Sequence, residues 1–165
     1  MAGYPISHSM ADAYMSCQKK FEYAHVEELM PVVTPEALAR GIWGHKVMEV
    51  FFNAVKDGTP VTEAKGIALL NAMDEPRYFS RFWNRIERFI DVEYPTMGWV
   101  EVLAVDDKNN LDVSPEYRFP FTVDLVVRVE RDGEEFVEIV DFKFGADAYS
   151  DEIIGLFPQL PKYVG

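Results

Sequence analysis

The sequence predicts an α+β fold, a mixed β-sheet flanked by helices, on three observations. Apolar residues recur at helical spacing through the first half; the period changes to two at Trp99; and neither an internal repeat nor a low-complexity linker separates the halves. Helices gathered in one part of a chain and strands in the other are the pattern of α+β architectures. A length of 165 residues suits a single domain, 1–165, mainly helical over 1–95 and built of sheet plus a closing helix over 99–165.

Ser9 to about Leu29 reads as the first helix, followed by the loop MPVVTP. Thr34 as N-cap, Pro35 at the first helical position and Glu36 in the first turn open a second helix, which runs to about Lys56 before the break DGTP. A shorter helix follows from Thr62 to about Met73. In PRYFSRFWNRIERFIDVEY, Arg77, Arg81, Arg85 and Arg88 fall on one stripe, while Phe79, Phe82, Trp83, Ile86, Phe89 and Ile90 supply the buried side. From Trp99, WVEVLAV, LDVSPEYRF and the two halves of FTVDLVVRVERDGEEFVEIVDFKFG read as a meander. Its last members are apolar on both faces, as central strands are. YSDEIIGLFPQLPKYVG reads as the final helix, interrupted by Pro158 and Pro161.

The hairpin raises a problem of charge. A two-residue Asp-Gly loop centred on Asp132 and Gly133 pairs residues whose numbers sum to 265, so Asp124 faces Asp141. Directly opposed residues hold their Cβ atoms about 5 Å apart, and like charges there repel. A cation between the carboxylates, a shared proton, or Lys143 on the same face as Asp141 would each offset that repulsion. A three-residue loop would shift the register by one and turn the two acids to opposite faces.

Composition narrows the setting. Hydrophobic residues make up 48% of the chain and aromatics 14%, which argues against a disordered chain. Cys17 is the single cysteine, so the chain can form neither an intrachain disulfide nor a four-thiolate cluster, and a reducing compartment is expected. No signal-peptide pattern opens the chain and no apolar run approaches a membrane span, so the expectation is a soluble cytoplasmic protein with no membrane partner. A net charge of −12 should repel nucleic acid on average. Any phosphate-binding role therefore needs a local basic surface, for which the arginine stripe is the candidate. Lys19 and Lys20 are a second.

Taken singly, an Asp-x-Lys on a strand, a histidine on a helix and a striped helix are common structural features. Here they come as a set. The order is Gly41 to His45 on an early helix, Glu116 in PEYRF, Asp124 in FTVD, Asp141-Phe142-Lys143 followed by Gly145, and Gln159 to Tyr163. This set resembles the RecB-like branch of the PD-(D/E)XK nuclease superfamily, similar to CRISPR-associated and phage exonucleases. The opening SHSMADAYMSCQKKFEY resembles the same family's serine-led first helix ending in a cysteine followed by basic and aromatic residues. Two departures stand out. Phe121 occupies a position where the family often has glycine. Cys17 stands alone where some members bind an iron–sulfur cluster through four cysteines, so no such cluster can assemble on this chain: a clusterless member, or a piece of a longer protein, is expected.

The resemblance implies a restriction-endonuclease-like core and a metal-dependent DNA exonuclease acting at DNA ends in repair, recombination or phage DNA processing, in the cytoplasm of a bacterial or phage-infected cell. Phosphodiester hydrolysis needs an activated water and neutralisation of developing charge, which a divalent ion assists. Asp124, Asp141 and the Phe142 backbone carbonyl offer hard oxygen ligands suited to Mg²⁺ or Mn²⁺, and His45 an imidazole that Mn²⁺ tolerates. Lys143 would orient or help deprotonate the attacking water. Glu116 would act behind the ligands or on a second ion. Gln159 and Tyr163, one helical turn apart, would face a nucleotide phosphate, with Arg77, Arg81, Arg85, Arg88, Lys19 and Lys20 along the DNA path. The partner implied is DNA, with a recombination, helicase or annealing protein as the candidate accessory. Two other readings stay open on the residues alone: a catalytically silent nuclease-fold module that binds DNA or protein, and a structural hairpin in which Lys143 simply pairs with Asp141.

Overall fold

The structure is a computed structural model that describes residues 4–29, 32–112 and 114–144. The expected closing helix, with Gln159 and Tyr163, and Gly145 lie outside the described residues. The chain divides into two compact units: residues 1–34, 108–122 and 148–165 in one, 35–107 and 123–147 in the other. Among the described residues no helix is long and apolar enough to cross a membrane.

In the first unit, strand β1 (Tyr4–Pro5) pairs in parallel with the start of β3 (Tyr117–Arg131), Tyr4 beside Tyr117 and Pro5 beside Arg118. Helix α1 (His8–Ser16) follows, capped by Ser7, whose Oγ accepts from the Met10 N–H at 3.2 Å. The single long first helix expected from the sequence is broken. Cys17 adopts an extended conformation (φ −164°, ψ 109°), and the chain restarts as α2 (Gln18–Phe21) and a π-helical turn, Glu22–Val26. Apolar spacing continues across this break, so periodicity alone does not reveal it.

The second unit holds the main core. Helix α3 (Glu36–Lys56) buries Trp43, Val47, Met48, Phe51 and Phe52, two adjacent rows at four-residue spacing. It opens one residue later than predicted: Pro35, not Thr34, is the N-cap, with ψ near 139° and no side-chain cap bond. Helix α4 (Val61–Ala72) buries Ala64, Ala68 and Ala72, small residues on successive turns that leave room for α3 to pack closely. Trp43 Nε1 donates to the Ala72 carbonyl at 3.2 Å, which also accepts the Glu75 N–H at 3.4 Å, so this carbonyl at the helix C-terminus is satisfied. Helix α5 (Pro76–Arg88) adds Tyr78, Trp83 and Ile86 to the core and continues as a π-helical turn, Phe89–Glu93, that buries Ile90.

The sheet order is β1-β3-β2, with β4 (Glu134–Val140) pairing β3. Strand β2 runs Trp99–Asp112, straight through DDKNN, so the strand break expected there is absent; the chain turns instead at Ser114–Glu116, inside the segment LDVSPEYRF that reads as a strand. The hairpin register is as predicted. Leu125 pairs with Val140 and Arg131 with Glu134, each pair summing to 265. Asp132 (φ 55°) and Gly133 (φ 79°) both take the left-handed conformation that a type I′ turn demands. Leu125, Val127 and Val129 of β3 are fully buried. β4 differs from expectation: Phe136, Val137 and Ile139 are exposed, and among the described residues β3 is its one neighbour. Apolar content on both faces therefore identifies the central strand β3 and misidentifies β4.

Candidate active site

The candidate site forms in the second unit, where β4 ends. Strand pairing stops at Leu125 and Val140, one step before Asp124 and Asp141. Beyond that point the Phe142 N–H donates to Asp124 Oδ2 at 2.7 Å, so a side-chain carboxylate takes over from the backbone ladder. The other oxygen of Asp124, Oδ1, lies 3.3 Å from His45 Nδ1 on α3. Lys143 Nζ lies 2.6 Å from Asp141 Oδ2. Each aspartate thus has donors of its own, and Lys143 is the partner of Asp141, one of the three ways the sequence left open for offsetting the repulsion. The acids are largely enclosed, with side-chain exposures of 16% for Asp124 and 14% for Asp141, whereas His45 and Lys143 are 40% and 43% exposed. Carboxylates this far from water hold their partners more strongly than surface pairs do.

The segment Asp141–Phe144 is clamped from both sides. Phe142 stacks on Phe52 (centroids 5.8 Å apart, interplanar angle 15°) and meets Phe89 edge-on at 6.0 Å, which anchors the backbone between the two polar residues. Phe144 meets His45 edge-on at 5.3 Å. Arg40 Nε donates to the Phe144 carbonyl at 2.9 Å. Gly44 completes the clamp, because a Cβ there would collide with the Phe144 ring. Gly41, the glycine picked out by its spacing from His45, has nothing within 4 Å of such a Cβ. Arg40, Gly44 and Phe144 are among the residues that the sequence does not single out. Two glycines three residues apart look alike in sequence; the approach of a distant ring tells them apart.

A small cavity of about 30 Å³ is lined by His45, Glu49, Asp106, Asp124 and Phe142 among others, room for about one water. Asp106 was not foreseen here, since it sits in the polar run taken for a loop; the structure gives it a positive φ of 47° within β2. Among the described residues no three His, Cys, Asp or Glu side chains are grouped to hold a metal ion. The donors are of the right chemistry for a hard divalent ion, but in this arrangement Asp124 is engaged by His45 and Phe142, and Asp141 by Lys143.

The remaining predicted residues are placed as follows. Arg77, Arg81, Arg85 and Arg88 are all exposed on α5, as the stripe implies. Arg77 pairs with Glu36 at 2.6 Å and Arg88 with Glu93 at 3.6 Å. Glu116, Lys19 and Lys20 belong to the first unit. There the Ser114 hydroxyl donates to Glu116 at 2.9 Å, Lys19 pairs with Glu22 at 2.7 Å and lies over the Tyr23 ring, and Lys20 is exposed.

Comparison with known proteins gives one family result. The model of the PD-(D/E)XK nuclease superfamily matches residues 5–164, nearly the whole chain. No curated protein and no solved structure matches.

Proposed function

The chain belongs to the PD-(D/E)XK nuclease superfamily, a family of nucleic-acid hydrolases that generally use divalent metals, and on that premise we propose that it is a metal-dependent deoxyribonuclease of the RecB-like type, an exonuclease acting at DNA ends in repair, recombination or phage DNA processing. The observation that carries the reading is the convergence of Asp124, Asp141, Lys143 and His45 at the end of one hairpin, from two elements far apart in sequence. The nuclease is a single domain spanning 1–165, an organisation favoured by the extent of the family match.

In this proposal Asp124, Asp141, the Phe142 carbonyl and His45 are the residues that would hold Mg²⁺ or Mn²⁺, and the ion would supply charge neutralisation at the phosphate and a more acidic water. The chain's own residues do the rest. Lys143, half-exposed and steered by Asp141, donates to the attacking water or to a non-bridging phosphate oxygen, where a point charge is worth most as negative charge builds. His45 fixes the orientation of Asp124. Phe142, packed against Phe52 and Phe89, anchors the backbone between Asp141 and Lys143. Glu116 is assigned a supporting role or a second ion, and Gln159, Tyr163, Lys19, Lys20 and the α5 arginines are assigned to contact with the DNA strand. The setting is the cytoplasm of a bacterial or phage-infected cell, with a recombination, helicase or annealing protein as accessory.

The test is digestion of end-labelled linear DNA and of closed circular DNA with Mn²⁺, Mg²⁺ or EDTA. Loss of linear DNA alone, dependent on metal and reduced about 100-fold or more by Lys143→Ala and Asp141→Ala, is expected. No cleavage of any substrate, with Mn²⁺ still raising the melting temperature, would replace the enzyme with a silent nuclease-fold binding module.

A further inference from the structure

Beside the catalytic segment, within the second unit, is a cleft of about 190 Å³. Its lining includes three cations, Arg40, Arg85 and Lys143, and the rings of Phe82, Phe89 and Phe142. In a chain with 16 basic and 28 acidic residues, a cation readily finds a carboxylate, as Lys65, Arg77 and Arg128 do. Arg40 and Arg85 have no ion pair among the described residues. Their guanidinium groups lie instead over one and the same ring, Phe82, at 5.3 and 5.8 Å from its centroid. Both also line the cleft, together with Lys143, so an anion entering it meets three cations, and neither arginine is already neutralised by an ion pair among the described residues. Arg40 is moreover held in place by its bond to the Phe144 carbonyl, so its remaining N–H groups are already positioned.

The lining is otherwise apolar and aromatic, and the volume is below the roughly 300–1,000 Å³ of sites for drug-sized ligands, which leaves room for one ring system. A flat apolar body carrying an anion, next to a site for phosphodiester hydrolysis, is a nucleotide. Stacking on side-chain rings needs a base face freed from its duplex neighbours. We infer that this cleft receives one unpaired nucleotide of the DNA strand, its base against Phe82, Phe89 and Phe142 and its phosphate at Arg40 and Arg85, leaving the adjoining phosphodiester to Lys143. The inference rests on the nuclease reading and adds to it a preference for single-stranded or frayed ends.

The experiment measures binding of a ten-residue oligothymidylate and of a blunt duplex by fluorescence anisotropy, in EDTA and in Ca²⁺, together with photocrosslinking of an oligonucleotide ending in 5-iododeoxyuridine. Arg85→Glu, at an exposed position that should not disturb folding, is compared with Lys56→Glu, which changes net charge equally at the far end of α3. Binding of the single strand weakened about tenfold more by Arg85→Glu than by Lys56→Glu, with crosslinks on the peptides carrying Phe82, Phe89 or Phe142, is the expected result. Equal effects of the two substitutions, with crosslinks elsewhere, in a protein that still cleaves DNA would overturn the cleft and leave the nuclease standing. A wild-type protein that neither binds nor cleaves either DNA would overturn both.

Discussion

A Cβ on Gly44 has no room beside the Phe144 ring, while one on Gly41 would point into open space. Gly44→Ala should therefore cost about 1–3 kcal/mol, the range for forcing extra volume into a packed contact, and should lower activity by displacing the segment that carries Asp141 and Lys143. Gly41→Ala should be neutral or stabilising by up to about 1 kcal/mol, because alanine loses less backbone freedom in a helix. Urea denaturation of the two variants decides it; equal stabilities would mean that Phe144 does not pack on α3. Lys143 makes a second prediction at this scale. Replacing it with methionine strips a largely enclosed Asp141 of its cation, at a cost of about 1 kcal/mol. If Asp141 is a metal ligand, Mn²⁺ should raise the melting temperature of Lys143→Met more than that of wild type, because the ion then displaces no ammonium.

Among the elements, α4 and α5 show how a helix pair is tied outside its apolar seam. Lys65 of α4 lies 2.6 Å from Asp91 and 3.0 Å from Glu87, and these bonds, Asp91 first, hold its ammonium above the ordinary lysine value. A pKa raised by folding stabilises the folded form fully below the unfolded value and loses that contribution as pH rises through the folded one. Tyr94, whose phenol burial pushes upward, acts in the same direction. Stability should thus fall above about pH 10, and Lys65→Met should lower stability at pH 7 by a few tenths of a kcal/mol while flattening that alkaline decline. A decline of unchanged steepness in Lys65→Met would remove the ion pairs from the account. The hairpin offers a contrast. Its register follows from two turn residues, whereas the point where pairing stops follows from Asp124 capturing the Phe142 N–H, a long-range contact that no local pattern encodes.

For the molecule as a whole, a charge of −12 and a DNA substrate are compatible only if binding is local. Two phosphates, one at Arg40 and Arg85 and one at Lys143, predict that log K for single strands falls with log salt at a slope of at least about −1.4; a slope near zero would remove the phosphate contacts, and a steeper one would add the other α5 arginines, Lys19 and Lys20. The sequence by itself determined the fold class, the positions of α3, α4 and α5 to within a residue or two and the hairpin register, and it singled out His45, Asp124, Asp141 and Lys143, which the structure pairs as His45 with Asp124 and Lys143 with Asp141. Those features are written in local periodicity, in turn chemistry and in the order of motifs, all of which survive projection onto one dimension. Only the tertiary structure decided that Cys17 breaks the first helix, that β2 runs through its polar stretch, that β4 is exposed, that Gly44 rather than Gly41 makes the close approach, and that Arg40 and Arg85 gather on Phe82. Each of these depends on which distant side chain arrives at a given point, and that is set by packing in three dimensions, not by the residue's neighbours along the chain.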